Sequence, residues 1–445
     1  MKTLKYIFSV GLLTLSASCS NFLDVKPAES ISDAQTIFDK TSAETALRGV
    51  YSALSNGSYY GTTFQSIGYL SGDNIQWTGS QSQVQEFINK KVNPENSTIS
   101  GAWTAIYRTI NRANNVITKV PAVTDPLLTQ ALKDQIVGEA YFVRALSYFD
   151  LARTWGGVPI ITKPTATPTE NRGVVRSSQA ETYALVLKDL ETAEPLLPAT
   201  TDRYRATRKT VWALRARLHL YLKEWAKADE YASKLITDTN YKLLKPYSSF
   251  FAGDARGTQE SVFEIFYSAN EQNAHRGQWQ PQTNGGTRQW APNDALVALL
   301  NDPKVGGGRS TLVAKDNQNR WYGNLYYRTP ATDPSYVFRI AELYLIRAEA
   351  RANLDKITDG LADLNAVRDR AGIDLSTATT KDALLLAIEN ERKVEFALEP
   401  HRWFDIVRTG RATQVFNVTD PNRLLLPIPV GEIQIDKALK QNPGY

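Results

Sequence analysis

Three glutamates near the carboxyl end, Glu391, Glu395 and Glu399, recur at intervals of four and would stack on one face of a helix. Paired carboxylates can hydrolyse glycosides, one acting as acid and the other as base or nucleophile. Arg392, Arg402, Asp405 and Arg408 stand close by in the chain. Arginines beside a carboxylate hold its pKa down, which suits an ion pair and disables a general acid. The stretch therefore reads as structural, a set of ion pairs that imitates an active site. Other catalytic arrangements are missing. His219, His275 and His401 lie far apart, and no two have the i, i+4 spacing of a helical zinc site. Gly306-Gly307-Gly308-Arg309-Ser310-Thr311 lacks the lysine and the spacing of a phosphate loop, and no G-x-S-x-G elbow occurs. The sequence implies no metal and no cofactor.

The tryptophans carry more information. Trp103, Trp155, Trp212, Trp225 and Trp403 fall in or beside helical patterns and are expected in the core. Trp77, Trp279, Trp290 and Trp321 stand in polar, glycine-rich surroundings. An indole can lie on the apolar face of a sugar ring while neighbouring amides and carboxylates bond its hydroxyls. The run Ser71-Gly72-Asp73-Asn74-Ile75-Gln76-Trp77 offers that combination. The expected ligand site is Asp73, Asn74 and Trp77 from this loop, meeting Trp279, Trp290, Trp321 and Tyr322 from the middle of the chain.

These residues need a scaffold. With 445 residues, 42% hydrophobic and 22% charged, the chain can bury a large core without disulfides. Helical spacing runs through Phe142, Ala145, Leu146 and Phe149, and through Val211, Leu214, Leu218 and Tyr221. Gly156-Gly157 and Pro159 should stop the helix that begins near Gln130. Ser261 to Tyr267 alternates like a strand. Residues 241–335 are otherwise loop-rich, yet their aromatics argue for order. Helical spacing resumes from Ile340 and ends with a helix over 383–398. The pairs 209–238 and 338–370 resemble each other and suggest tetratricopeptide-like units. Lys and Arg exceed Asp and Glu by only 51 to 46 and are interspersed, so nucleic acid is not an expected partner.

The amino terminus gives an address. Lys2 and Lys5 precede an apolar run from Tyr6 to Leu15, the pattern of a secretory signal. It is well short of the ~20 residues of a membrane-spanning helix. Cys19 is the only cysteine and follows Ser16-Ala17-Ser18, similar to the lipobox of bacterial lipoproteins. Cleavage there would leave 49 basic against 46 acidic residues. The expected organisation is a signal peptide over 1–18, a lipid-anchored tether over 19–42, and an amino-terminal helical part over 43–240. A loop-rich ligand-binding part over 241–335 and a carboxyl-terminal helical part over 336–445 complete it.

From Cys19 to Tyr445 the chain resembles the SusD/RagB family of Bacteroidetes outer-membrane lipoproteins. The resemblance rests on Leu47-Arg48-Gly49-Val50-Tyr51, Gly138 to Ala145 and Arg339 to Ala350. It continues through Leu364 to Gly372, Arg402-Trp403-Phe404-Asp405 and Gln441-Asn442-Pro443-Gly444-Tyr445. It implies a mainly α fold: a tetratricopeptide-like helical scaffold of four helix pairs, a loop-rich ligand-binding part and a few short strands. It also implies a non-catalytic protein on the cell surface, anchored in the outer membrane through lipid. Such a protein binds an oligosaccharide or polysaccharide and acts as a lid on a SusC-like TonB-dependent transporter. Capture of peptides on the same scaffold, as in the RagB branch, is the first alternative. An extracellular glycosidase is the second, and the arginines around its carboxylates count against it.

Overall fold

A computed structural model describes residues 36–167 and 169–445. The signal-like run and Cys19 lie outside the described residues. The first described helix, α1 (Lys40–Leu54), opens on a capping box in which Asp39 accepts from the Ser42 backbone N–H. It packs on α4 (Ser97–Lys119), but α2 (Thr63–Leu70), β1 (Ile75–Trp77) and α3 (Ser82–Ile88) come between the two in sequence. Asn96, in a sequon by sequence, is buried. Its side chain caps α4 by accepting from Thr98 N at 2.9 Å.

Helix α5 (Gln130–Trp155) ends where the glycine pair predicts, with Gly156 at φ 78°, a conformation that a side chain would strain. Helix α6 (Gln179–Leu196) starts at a Ser178–Glu181 capping box and lies along α5. Helices α7 (Arg208–Tyr221) and α8 (Trp225–Ile236) form the next pair. Helices α11 (Ile340–Asn353) and α12 (Ile357–Ala371) form another, and α8 packs on α11. The likeness between these last two pairs extends to the turn atoms. Lys223 and Asp355 both take φ 58°, and each N–H bonds the carbonyl three residues back. The following residues, Glu224 and Lys356, bond the carbonyl five residues back. Arg347 and Arg351 on α11 bind Asp363 on α12, and Arg351 also reaches Asp229 on α8.

The scaffold is thus interrupted twice, once between α1 and α4 and once between α8 and α11. The second insertion contains the strand expected from the alternation at 261–267. It is five residues long, β2 (Ser261–Ile265), and pairs antiparallel with β6 (Ser335–Arg339). Between them lie α9 (His275–Trp279), β3 (Trp290–Pro292), α10 (Asp294–Asn301), β4 (Val313–Lys315) and β5 (Trp321–Gly323). One apolar cluster includes Leu47, Phe149, Trp279, Leu343 and Ile428, so both insertions share the core of the scaffold. Of the tryptophans expected inside, Trp103, Trp155 and Trp403 are buried. Trp212 and Trp225 are only half-buried. Trp212 keeps its indole N–H at the helix surface, where it donates to Glu194 Oε1 at 2.8 Å.

Helix α13 (Lys381–Glu395) closes earlier than its periodicity predicts, and a turn carries Glu399 onward to α14 (Arg402–Arg408). The carboxylates there are consumed by four arginines from three separate segments. Glu395 binds Arg309, Arg339 and Arg370, and Glu391 binds Arg309 and Arg368. Arg339 also holds Glu260 at 2.7 Å and Glu399 at 2.6 Å. Arg309, from the glycine run, is fully buried at the centre of this network. Burial pushes the Glu395 carboxyl up, but the three guanidiniums outweigh it and hold it at about 2. Glu399 departs from the expectation of a lowered pKa. Burial raises it, and the neighbouring Glu395 charge adds to the rise, against the pull of Arg339. The chain continues through α15 (Ala412–Phe416) to α16 (Val430–Ile435).

Candidate functional site

The two insertions meet at a short antiparallel ladder. Ile75 faces Pro292, Gln76 faces Ala291 and Trp77 faces Trp290. The ladder is extended at both ends, by Thr78 N donating to Gln289 O and by Asn293 N donating to Asn74 O, each at 3.0 Å. Strand β5 lies beside β3 and pairs on its other side with β4. The amide of Gln280 donates to Gly323 O, and the Arg288 guanidinium donates to Trp321 O at 2.8 Å. All seven residues of the expected site therefore come into one neighbourhood. They do not form one surface.

Trp279 and Trp290 are core residues, with 0% and 5% of their surface exposed. This corrects the expectation that they stand open to ligand. They meet edge to face at 5.6 Å between ring centroids, and Tyr69 packs on both. His275 stacks on Tyr326 at 4.5 Å and completes the cluster. Burial holds its imidazole at about 3, so it stays neutral. Nδ1 donates to Asn273 Oδ1 at 2.7 Å. The physical reason for the correction lies in the length of the insertion. A long irregular segment becomes ordered only by burying its own aromatics, and polar neighbours in sequence do not report that.

Asp73 and Asn74 are also spent on structure. Asp73 receives Arg402 Nε and Lys393 Nζ, each at 2.8 Å. Burial pushes its carboxyl up, and the bonds to Arg402 and Lys393 bring it below the usual carboxylate range. Asn74 is buried and donates to Lys393 O at 3.1 Å. Both residues thus pin the first insertion to α13 and α14. Their expected role on ligand is corrected accordingly. The scaffold role expected of Arg402 holds, with Asp73 as its nearest acid.

Trp77, Trp321 and Tyr322 are half-buried. Trp321 lies under Lys315, whose ammonium sits 4.9 Å from the ring centroid. Trp77 folds over Gly79 so closely that a Cβ there would stand 2.2 Å from the indole, so only glycine fits. Its Nε1 is buried and finds no acceptor. Trp77 walls a cavity of about 250 Å³ together with Thr62, Thr63, Ser66, Gln81 and Gln278, while Phe87 and Trp290 supply apolar surface. Sequence reading missed the hydroxyl and amide residues. Single polar side chains have no periodicity, and the adjacent Thr62-Thr63 was the only local sign. No acid, base or thiol is among the residues lining this cavity. It offers hydrogen bonds and one aromatic edge, the chemistry of recognition. Among the described residues no group of three or more His, Cys, Asp or Glu is placed to hold a metal, and no helix is long and apolar enough to cross a membrane.

Comparison with known proteins fits this architecture. The family described as "Starch-binding associating with outer membrane" matches residues 21–222, and the SusD family matches residues 324–420. A SusD-like protein of Formosa agariphila is 28% identical, with 100% of this chain and 98% of the relative covered. The fold matches a SusD superfamily protein from Bacteroides vulgatus at a TM-score of 0.82 and 19% identity, covering 92% of this chain and 99% of that one. It matches a laminarin-binding SusD-like protein at a TM-score of 0.80 and 23% identity, covering 92% and 100%. The two family matches together span about two thirds of the chain, which belongs to the SusD-like family.

Proposed function

We propose that this protein binds a glycan at the cavity walled by Trp77 and delivers it to a SusC-like TonB-dependent transporter, held at the outer membrane by lipid on Cys19. One observation carries the reading. A cavity lined by hydroxyls, amides and an indole, with an unpartnered Nε1 and no carboxylate, suits a sugar and lacks the acid and base that hydrolysis needs. Its volume is below the ~300–1,000 Å³ of drug-sized ligand sites, which suits one ring or chain end. The family description names starch, and one structural relative binds laminarin, so a neutral glucan is the first class to try. Half-exposed Trp321 and Tyr322 on the adjoining hairpin would extend contact along a longer chain.

A glycan array beside a peptide panel identifies the ligand class. Calorimetry then measures Trp77→Ala. Stacking beyond area burial is worth ~0.5–1.5 kcal/mol, so affinity should fall about tenfold at most from stacking alone. Trp77→Phe should recover part of the loss. Parent-like binding by Trp77→Ala would place the ligand elsewhere, and retention of peptides alone would favour the RagB-like alternative.

The anchor is tested separately. Cys19→Ala should abolish incorporation of a lipid precursor and release the protein from membranes. Attachment needs more than one acyl chain at ~0.8 kcal/mol per buried methylene, so the loss should be complete rather than graded. Continued lipid labelling of the variant would refute the anchor.

A further inference from the structure

A second cavity, of about 650 Å³, shares no lining residue with the one walled by Trp77. One face of α13, with Leu385, Leu386, Glu389 and Arg392, forms one wall. Trp225 at the start of α8 forms another, and Arg402, Arg408 and Arg411 close it from α14 and the turn beyond. Leu386 is 48% exposed and Trp225 is half-buried, so the walls present apolar surface to the cavity.

The donor count in this cavity is unbalanced. A guanidinium carries five N–H donors. Arg408 is well supplied, since Glu349 takes both of its outer nitrogens and Asp405 takes Nε. Arg392 is not. Its Nε donates to Asp405 at 2.7 Å, but Nη1 is buried with no partner, and only 5% of the residue is exposed. Arg402 gives Nε and Nη2 to Asp73, and its Nη1 stays 3.9 Å from Glu389, beyond hydrogen-bond reach. Arg411 Nε lies 2.6 Å from the same carboxylate but outside hydrogen-bond geometry, and its side chain is 41% exposed. Of the four acids lining the cavity, Glu349 and Asp405 are spent on Arg408 and Arg392, and Asp382 and Glu389 remain, so the three arginines still keep donors that the cavity's own acids do not use.

We propose that this cavity is a second ligand site, for an acidic sugar such as a uronate. The acid group accepts from Arg392, Arg402 and Arg411, and the ring lies against Trp225 and Leu385. A planar carboxylate matches the guanidinium fork, and the apolar flank accounts for a ring rather than a bare ion. The sugar identity rests on the glycan-binding reading above; the acid rests on the arginines.

The test is calorimetry on the mature chain at constant ionic strength, with glucuronate, glucose, acetate and sulfate as separate titrants. Glucuronate should bind at least tenfold more tightly than acetate or sulfate, and glucose should not compete for it. Arg411→Gln, a half-exposed position, should weaken glucuronate fivefold or more with an unchanged melting temperature. Trp225→Ala should weaken it as well, while Trp77→Ala should leave it unchanged. Glucuronate no tighter than acetate or sulfate would mean simple counter-ion binding and overturn the proposal. So would parent-like binding by both Arg411→Gln and Trp225→Ala, or loss of binding in Trp77→Ala. Failure of the neutral-glycan site would appear independently, as loss of glucan binding with glucuronate retained.

Discussion

Glu395→Gln should cost about 3–5 kcal/mol of stability at neutral pH, because it leaves three buried arginines facing one another with one acid fewer. The loss should shrink in acid. The folded carboxyl is held at about 2, whereas an unperturbed glutamate titrates near ~4.3. A lowered folded pKa contributes stability that is fully present above the unfolded value and is lost as pH falls through the folded one. The parent should therefore lose stability from about pH 5 down to about pH 2 through this group, and the variant should not. Glu399 works in the opposite direction. Its raised carboxyl takes up a proton earlier on the way down, which relieves part of the crowding around Arg339. Chemical denaturation of both proteins at pH 7, 5 and 3 checks this. A gap between them that stays constant with pH would sink the assignment of Glu395 as the hub. The result also bears on catalysis, since a carboxyl held at about 2 has no proton to give at neutral pH.

Trp279→Ala and Trp290→Ala should each destabilise the fold by about 3–5 kcal/mol, the usual cost of emptying a buried aromatic site. Both sit in the cluster with Tyr69, His275 and Tyr326, which joins the second insertion to the first. For Trp279→Ala any change in ligand affinity should follow from this loss, and well below the lowered melting temperature residual binding should approach that of the parent. Trp290 also lines the Trp77 cavity, so Trp290→Ala should weaken binding as well. Trp77→Ala should show the opposite pattern, with weakened binding and a melting curve close to the parent. Thermal melts and calorimetry on the same preparations separate the two classes. A Trp279→Ala protein that melts like the parent would return that side chain to the surface.

The sequence by itself determined the scaffold. Helical spacing and stops such as Gly156 are local signals, and α5 ends where they place it, although α13 closes at Glu395, short of the end its spacing predicts. The repeated helix pair was legible for the same reason: two similar turns need two similar stretches of chain. The ion-pair character of the carboxyl-terminal glutamates was legible too, from arginines beside them, although three of the partners come from elsewhere. Arg309, Arg339 and Arg370 reach Glu395 from 86, 56 and 25 residues away, and nothing in the local pattern names them. Tertiary structure alone decided which polar, aromatic residues of the insertions face outward. Asp73 and Trp290 look alike in sequence, each in a loop among polar neighbours. One is tied to Arg402 and the other is sealed under Tyr69. Exposure of a loop side chain depends on what the rest of the chain lays over it, and that information is distributed over contacts between the two insertions, the aromatic cluster and α13. The pattern of a single loop does not contain it.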